Sequence, residues 1–530
     1  MNRRAEGSDC RTILRIRKYP QLWYLALCVV FGAGMVVQTW GQRWSGDYWA
    51  HRAAVLELSH HPWSPHQPFT GSEVADPELS PYTLGLGLAA RVSPLGVRDV
   101  LSVAALVNTV LFLMALRRFV GRFSNAPLAP FWTLLATLFL WGWAPWRWSG
   151  YPNANSIGFG LPYPSMFATA LLLFALSALI DFCDAGDRRQ LVVVAVLAPV
   201  AILSHPITGA ALGVAGLAVV VSRLGHIPAR RIAELSGTAA AVAAAVLAWP
   251  LYSAIDLLGA AGQYDAVHKL LYRLVGQRIV LALVALPALA VRFRADRRDP
   301  LTFMVAGSAV IFVVGGLTGR YSLGRILPLG MLALHVALGV WLAERAPVLW
   351  RQGTSARRLL SAGAGGVVLM AGVVGCQAGL ARAVPGALLP SSVARDPRLD
   401  ADDAGLSFLA RETSPDDVAF VPTLEAARVT PAFGAKVVAP GYIAPFVRDV
   451  NRRQADVARF FTSQSADERR GLIQRYGVSF VLFDLRFGTV DPGLGPVVHQ
   501  DDRYVLVSIN NVRRSASVRA AGPQHLRQGP

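Results

Sequence analysis

The sequence Ser45-Gly46-Asp47-Tyr48-Trp49-Ala50-His51-Arg52 directly follows the first long apolar segment, at about residues 22–40. An apolar run of about 20 residues can cross a bilayer as a helix. The stretch therefore puts an acid, an imidazole and an arginine where the chain leaves the membrane. On a helix, Asp47 and His51 would share one face because they are four residues apart. Two interpretations of Asp47 are open: an N-cap of the following helix, and a carboxylate that acts as a general base.

The composition is that of a membrane protein with many spans. The chain has 530 residues, of which 53% are hydrophobic and only 16% are charged, whereas soluble proteins average about 25% charged residues. The formal net charge of +18 does not point to nucleic acid, because the arginines fall mostly in short loops between apolar segments. The four cysteines have no metal-ligand spacing and predict neither a disulfide scaffold nor a zinc site.

Apolar segments of span length recur along residues 21–378, which predicts an α-helical polytopic membrane protein with about 11 transmembrane helices. The basic segment 1–20 is expected to stay in the cytoplasm. The gaps between spans are alternately rich and poor in arginine, which is the pattern of the positive-inside rule. The predicted spans lie at about 22–40, 97–116, 127–144, 163–182, 190–204, 207–223, 235–254, 278–292, 301–317, 325–344 and 358–378.

The arginine-poor gaps are expected outside, together with the C-terminal segment. The first outer loop, residues 41–96, contains two amphipathic stretches at about 47–59 and 81–93, which are too short to cross a bilayer and predict interfacial helices. Residues 379–511 alternate helical and strand-like patterns, as a small soluble α/β domain does. Residues 512–530 are expected to be disordered. The predicted strands are Val418–Val421, Lys436–Val438, Val478–Phe483 and Tyr504–Ser508.

A histidine cluster follows the first amphipathic stretch, in the sequence His60-His61-Pro62-Trp63-Ser64-Pro65-His66. Its spacing matches no closed zinc pattern, and no acid lies at a motif offset. The favoured interpretation is a Pro- and aromatic-rich lid over a cleft, with no metal site. The nearby acids Glu73, Asp76 and Glu78 are expected to be solvated surface charges.

Two further outer segments carry aromatic and imidazole side chains. Trp148 and Tyr163 lie in the second outer loop, where aromatic residues either form an interfacial belt or stack on sugar rings. His205 precedes Pro206 between two short spans. An ionisable group at membrane depth is a candidate for function, and the alternative is a helix-end histidine beside a proline turn.

The turn Gly319–Arg325 is an outer turn with two arginines, which breaks the positive-inside pattern. Arg320 and Arg325 are suited to holding phosphate oxygens, because a guanidinium binds them in a bidentate way. The alternative is pairing with ordinary phospholipid head groups. The loop at 255–277 is expected to add a further cation or acid, and its candidates are Tyr264, Asp265, His268, Lys269 and Arg273.

The layout and several short motifs resemble the GT-C superfamily of polytopic glycosyltransferases. Gly46–His51 is similar to the acid that opens the first outer loop in that family, and Ser80-Pro81-Tyr82 is similar to the entry of its second interfacial helix. Arg320-Tyr321 resembles a late-span Arg-Tyr pair, and Tyr476–Asp484 resembles the end of the family's outer domains. The chain lacks a clear Asp-x-Asp motif and the Trp-Trp-Asp of oligosaccharyltransferases, so protein N-glycosylation is not expected.

The resemblance implies an inverting sugar transfer from a polyprenyl-phosphate donor, with Asp47 as general base. The expected acceptor is an extracytoplasmic cell-envelope glycan or lipid, and the Ala-, Arg- and Val-rich composition favours an actinobacterial arabinosyl- or mannosyltransferase of the plasma membrane. No cofactor is required by this scheme, and a divalent cation (Mg²⁺, Mn²⁺ or Ca²⁺) stays open. The residues expected to bind substrate are His51, Arg52, His66, Tyr82, Trp148, Tyr163, His205, Tyr264, His268, Lys269, Arg320, Tyr321 and Arg325.

A non-catalytic role is the alternative, as a transporter or flippase or as an assembly factor for envelope polysaccharide. Transporters tend to have internal repeats and charged residues within their spans. The predicted spans contain almost no acids or bases, and the sequence has no evident repeat. The discriminating expectation is geometric: an enzyme should bring Asp47, His205 and Arg320 to one outward cavity with an opening on the lipid side.

Overall fold

The protein is described by a computed structural model, which covers residues 20–41, 44, 46–390, 405–491 and 493–509. Ser45, the predicted cytoplasmic tail apart from Pro20, and the predicted disordered tail 512–530 lie outside the described residues. The chain divides into two compact units. The first comprises Met1–Tyr48 and Leu79–Ala401, and the second comprises Trp49–Glu78 and Asp402–Pro530.

The first unit is built from helices, which confirms the predicted α-helical class. Its α-helices are α1 (Gln21–Gly41), α3 (Pro81–Val92), α4 (Val97–Val120), α5 (Ala129–Phe139), α6 (Ala154–Gly160), α7 (Pro164–Ala185), α8 (Arg188–Ser204), α9 (Pro206–Arg223), α10 (Ala229–Leu247), α11 (Ala254–Gly259), α12 (Asp265–His268), α13 (Val275–Ile279), α14 (Leu286–Ala295), α15 (Pro300–Thr318), α16 (Leu327–Glu344), α17 (Ala346–Gln352), α18 (Ser355–Gly375) and α19 (Gln377–Arg382). Short 3₁₀ segments lie at Ala261–Tyr264, Lys269–Tyr272, Val280–Ala285, Tyr321–Ile326 and Gly386–Leu388.

Eight helical segments in the described part of the chain are long and apolar enough to cross a membrane. Three of the predicted spans form helices that fall short of that standard. Helix α5 has only 11 residues, α8 has 17 residues with Pro199 inside it, and α10 carries Arg230, Arg231 and Glu234 near its start. The membrane-helical class is therefore confirmed, while the total of about 11 crossings stays a prediction.

Helix α7 is the most deeply buried of these candidate spans, with 78% of its apolar window inside the protein. It packs against α4, α8 and α9. It begins with Pro164, whose fixed φ suits the first helical position, and it ends at Gly186, which adopts a left-handed φ of 76°. Because neighbouring helices cover most of its apolar surface, α7 is the centre of the first unit.

The second unit contains a five-stranded mixed sheet, as predicted for a small α/β domain. Its strands are β1 (Val418–Phe420), β2 (Lys436–Val437), β3 (Phe480–Asp484), β4 (Val497–Gln500) and β5 (Tyr504–Ser508), in the order β2-β1-β3-β5-β4. The pairs of β1 with β2 and with β3 are parallel, whereas β3 with β5 and β4 with β5 are antiparallel. Strand β4 was not among the predicted strands, because it is short, partly exposed and ends in polar residues.

Four helices accompany the sheet, namely α20 (Leu409–Glu412), α21 (Leu424–Val429), α22 (Val450–Thr462) and α23 (Ala466–Tyr476). A 3₁₀ turn follows α21 at Thr430–Phe433. Phe420 of β1 stacks on Phe460 of α22 with ring centroids 4.2 Å apart, and both rings are buried. Burial of one such side chain contributes roughly 1.5–3 kcal/mol, so this contact helps to fix α22 on the sheet.

Both amphipathic stretches of the first outer loop form the helices that their patterns predict. The second is α3, which begins at a capping box between Ser80 and Thr83. The first is α2 (Tyr48–His60), whose apolar residues Val55 and Leu58 are fully buried. Apart from Tyr48, α2 belongs to the second unit, and the loop after it adds to the sheet edge because Val437 N–H donates to the Phe69 carbonyl at 2.7 Å.

Asp76 in this loop is buried, with an exposed fraction of 2%, so its prediction as a solvated charge is wrong. Its Oδ2 accepts a hydrogen bond from Gln67 Nε2 at 2.9 Å, and its Oδ1 accepts one from the Glu78 N–H at 2.9 Å. Burial nevertheless dominates and raises the pKa of Asp76 to about 7, and the nearby Glu78 carboxylate adds to the rise. The folded chain therefore favours the protonated form of this acid.

This elevated pKa predicts how stability depends on pH. Because the pKa of Asp76 is higher in the folded state than in the unfolded state, folding stability should fall as pH rises from about 4 to about 7, by up to about 4 kcal/mol. Asp76→Asn should remove that fall. Thermal unfolding of the purified chain between pH 4 and 8 measures it, with the exposed Glu73→Gln as control. An unchanged pH dependence in Asp76→Asn would contradict the assignment.

Candidate functional site

Arg325 is a buried cation of the first unit, at the end of the 3₁₀ turn that joins α15 to α16. Its exposed fraction is 6%. The guanidinium carbon lies 5.8 Å from the ring centroid of Trp148 and 5.9 Å from that of Tyr151. A charged side chain is rarely this buried unless other groups compensate its charge. Arg325 is therefore the residue around which the candidate site is built.

The turn that carries Arg325 is held by the loop at 255–277. The carboxylate Oδ1 of Asp265 accepts hydrogen bonds from the Ser322 N–H at 2.7 Å and the Ser322 hydroxyl at 2.8 Å. On the other side, a Cβ at Gly324 would lie 2.7 Å from Cε2 of Tyr272. The absence of a side chain at Gly324 thus allows the Tyr272 ring to pack closely against the turn. The contacts of Asp265 and Tyr272 together fix the position of Arg325.

Asp47 lies in the first unit with Arg325, and its carboxylate acts electrostatically on the Arg325 guanidinium. Gly46 before it adopts a left-handed φ of 70°, and a Cβ at position 46 would lie 3.2 Å from the Tyr163 hydroxyl. Helix α2 begins at Tyr48, immediately after the acid. The geometry is thus compatible with both interpretations of Asp47, the helix cap and the general base.

A cavity opens beside Arg325 between the loop at 149–152 and the starts of α9 and α16. Ser149, Gly150, His205 and Arg325 contribute to its wall. Gly150 has a left-handed φ of 75°, and a Cβ there would lie 3.6 Å from Arg325 Nη2 and 3.7 Å from His205 Cε1. The glycine therefore keeps the space between the two side chains open.

His205 caps α9, because its Nδ1 accepts a hydrogen bond from the Thr208 N–H at 3.2 Å. In a neutral imidazole this leaves the proton on Nε2. The helix-end interpretation of His205 thus describes its contacts, and the same residue also lines the cavity. Both roles fit one side chain because the cap uses only Nδ1.

His268 lies on the Trp148 side of Arg325. Its Nδ1 is 3.0 Å from the Ser322 hydroxyl, and its ring lies 5.9 Å from Trp148 and 6.2 Å from Tyr264 between centroids. Burial lowers the pKa of His268 to about 3, and the positive charge of Arg325 contributes to this shift. The imidazole is therefore neutral at physiological pH and does not add a second positive charge.

Other predicted binding residues of the first unit make different contacts. Tyr82 donates its hydroxyl hydrogen to the Pro162 carbonyl at 2.8 Å and accepts from Asn108 Nδ2 at 2.9 Å. Lys269 lies 5.7 Å above the Tyr321 ring, and Arg320 is exposed. Of the two predicted arginines, Arg325 is thus the one that faces the cavity.

Three predicted binding residues belong to the second unit. His51 Nδ1 pairs with Glu78 Oε2 at 2.6 Å. The Arg52 guanidinium carbon lies 4.3 Å from the Phe433 ring centroid. His66 Nδ1 lies 3.3 Å from Glu57 Oε1. Their predicted binding roles stay predictions.

Several residues of these sites were absent from the predicted set. Tyr151 and Asp265 contact the Arg325 turn, and both lie in outer loops whose aromatic and polar residues are candidates from the sequence, although neither is in the expected binding set. Glu57 is different, because it lies four residues before His61. The statement that no acid lies at a ligand offset from the histidines is therefore wrong. Within the described residues, Glu57, His61 and His66 have ligand atoms within 4.8 Å of one another and could hold a metal ion.

Comparison with known proteins gives a fold but no sequence family. No family model matches the chain, and no curated protein sequence matches it. ArnT from Cupriavidus metallidurans in the apo state has a TM-score of 0.53 and 15% identity, over 94% of this chain and 99% of that one. The same protein bound to undecaprenyl phosphate gives a TM-score of 0.53 and 16% identity, over the same shares.

The archaeal oligosaccharyltransferase AglB from Archaeoglobus fulgidus, in complex with an inhibitory peptide and a dolichol-phosphate, is a second neighbour. Its TM-score is 0.50 at 12% identity, over 89% of this chain and 70% of that one. Similarity at this level of identity concerns the fold, and it extends over both compact units. The chain therefore has the fold of the GT-C superfamily of membrane glycosyltransferases, which confirms the predicted resemblance.

Proposed function

We propose that the protein is a membrane glycosyltransferase that moves a sugar from a polyprenyl-phosphate donor to an extracytoplasmic cell-envelope glycan or lipid, with inversion at the anomeric carbon. The observation that carries this proposal is the buried Arg325 in the wall of a cavity, in the same unit as the Asp47 carboxylate, whose charge acts on it. A carboxylate can take a proton from an acceptor, and a guanidinium can hold the phosphate that leaves. The transfer needs both groups at one site.

In the proposed mechanism, Asp47 accepts the proton of an acceptor hydroxyl. The acceptor oxygen attacks the anomeric carbon of the donor from the face opposite the phosphate, the new glycosidic bond forms, and the bond to the phosphate oxygen breaks. The polyprenyl phosphate leaves with the bonding electron pair. Arg325 stabilises the charge that develops on that phosphate, and this contribution is large in a site that excludes water.

The remaining groups around the arginine suit a sugar. Trp148 is only partly buried and has an aromatic face that can stack on the apolar face of a pyranose or furanose ring, whereas the buried Tyr151 supports Arg325. Neutral His268 and the cap-bound His205 can exchange hydrogen bonds with hydroxyl groups without changing the charge of the site.

The donor class is supported by the two fold neighbours, since ArnT is known with undecaprenyl phosphate and AglB with a dolichol-phosphate. Arabinosyl or mannosyl transfer in an actinobacterial plasma membrane extends this proposal and rests on the sequence resemblance. The geometric criterion for an enzyme is met only in part, because His205 lines the cavity with Arg325 whereas Arg320 is exposed. The non-catalytic alternative is less favoured on the fold and on the scarcity of charged residues within the predicted spans.

The role of Asp47 predicts that Asp47→Asn abolishes transfer, because an amide cannot accept the acceptor's proton. Transfer from a radiolabelled polyprenyl-phosphate sugar in membranes measures the effect. The exposed Asp256→Asn, also in the first unit, serves as the control and should retain activity. Equal insertion and thermal stability of the two variants would show that the loss is chemical. Activity close to wild type in Asp47→Asn would remove the proposed base.

The two arginines of the turn should differ in their contributions. Arg325→Gln should lower kcat/KM by about 100-fold or more, the usual effect of removing one preorganised group that stabilises developing negative charge. Arg320→Gln should lower it much less, because Arg320 is exposed. Steady-state kinetics of the purified variants compares them. A larger loss in Arg320→Gln than in Arg325→Gln would show that the wrong arginine has been assigned to the phosphate.

The low pKa of His268 makes a prediction about pH. With a pKa of about 3, the imidazole is neutral throughout the range in which the enzyme can be assayed. His268→Gln keeps a neutral hydrogen-bonding group, so it should leave the acid limb of the pH–rate profile unchanged. Rates measured between pH 4.5 and 8 test this. Displacement of that limb in the variant would mean that His268 titrates during turnover.

A further inference from the structure

Three side chains near the end of α2 form a compact cluster in the second unit. Glu57 lies on the last turns of the helix, His61 directly follows it, and His66 lies five residues further on. Oε1 of Glu57 is 3.2 Å from His61 Nδ1 and 3.3 Å from His66 Nδ1. One ligand atom from each residue lies within 4.8 Å of the other two.

These separations are those expected around a tetrahedral zinc ion. With ligand bonds of about 2.0–2.2 Å, neighbouring ligand atoms around Zn²⁺ are about 3.4 Å apart. Two imidazoles and one carboxylate are a set that binds zinc and leaves a fourth position for water. Mg²⁺ and Ca²⁺ prefer oxygen ligands, so the two imidazoles favour a transition metal over either.

Lys436 orients the Glu57 carboxylate by binding the oxygen that does not face the histidines. Its Nζ donates to Oε2 of Glu57 at 2.5 Å and to the Pro68 carbonyl at 3.3 Å, and both charged side chains are nearly fully buried. This pair holds Oε2 and turns Oε1 towards the histidines, as outer partners of metal ligands do. The positive charge of Lys436 also limits the affinity of the cluster for a cation. Both imidazoles must be neutral in order to ligate one.

The loop between His61 and His66 is also restrained, in a conformation that keeps both histidines near Glu57. Pro62 and Pro65 fix two backbone φ angles between His61 and His66, and the His66 N–H donates to Glu57 Oε1 at 2.8 Å. The two imidazole side chains are partly exposed, at 32% and 41%, whereas that of Glu57 is 1% exposed. An ion could therefore enter from solvent without opening the core.

We propose that Glu57, His61 and His66 form a zinc-binding site that clamps the 61–66 loop to the end of α2. The site is independent of the proposed sugar transfer, since Asp47 and Arg325 are not among its ligands. Its role is to hold the loop in place within the second unit. It takes up the interpretation of the histidines that their spacing alone made the less favoured one.

The test uses the full-length protein in detergent, prepared without a polyhistidine tag, stripped with chelator and titrated with ZnCl₂. Wild type should bind one equivalent at this site, and His61→Ala and His66→Ala should each weaken its binding at least tenfold. The matched control is His60→Ala, because His60 Nδ1 lies 2.9 Å from the Leu56 carbonyl instead. Cobalt substitution should give the intense visible bands of a tetrahedral site in wild type and His60→Ala.

Two results of the zinc titration would contradict the proposed site. Absence of zinc binding in the wild type, or undiminished binding in the His61→Ala/His66→Ala double variant, would overturn the proposal and leave a cluster of hydrogen bonds and ion pairs. Circular dichroism and size-exclusion chromatography of each variant separate lost ligation from lost folding. Because metal content is the readout, failure here would leave the proposed glycosyl transfer untouched.

Discussion

The constraint on which the candidate site depends is the burial of one guanidinium, that of Arg325. A charge removed from water costs several kcal/mol unless its surroundings compensate it. Around Arg325 the compensation is distributed among the Asp47 carboxylate, the faces of Trp148 and Tyr151, and a His268 kept neutral by burial. Three loops distant in sequence are thereby required to meet, so the energetic need of one side chain determines which segments assemble the cavity.

Much of this site is predictable from the sequence, for a physical reason. Asp47, His205 and Arg325 are polar groups at membrane depth or at its edge, where such groups are expensive and therefore stand out against the apolar background. The contacts of Asp265 and Glu57 could not be found that way. Asp265 bonds to Ser322, 57 residues away, and Glu57 pairs with Lys436, 379 residues away, and nothing in the local sequence encodes those partners.

The features of the fold that the sequence predicts are likewise those that depend on residues close together in the chain. The helices α2 and α3 and four of the five strands follow from periodicity, because the side-chain pattern of an amphipathic element is local. The predictions that were wrong or stay open concern the environment of a residue or a helix in the folded protein. Asp76 is read as solvated because its neighbours in sequence are polar, yet Gln67 and the loop enclose it. Hydropathy likewise finds the segments α5, α8 and α10 but does not determine whether each crosses the membrane.

The left-handed turn at Gly46 limits how this protein can be altered by engineering. Any other residue would need an unfavourable φ and would press its Cβ against the Tyr163 hydroxyl. A library aimed at altering the proposed activity can therefore vary the apolar wall of the cavity, for example at Leu172 and Leu332. It should leave positions 46 and 163 untouched, since they set the backbone path of the carboxylate and have little mutational tolerance.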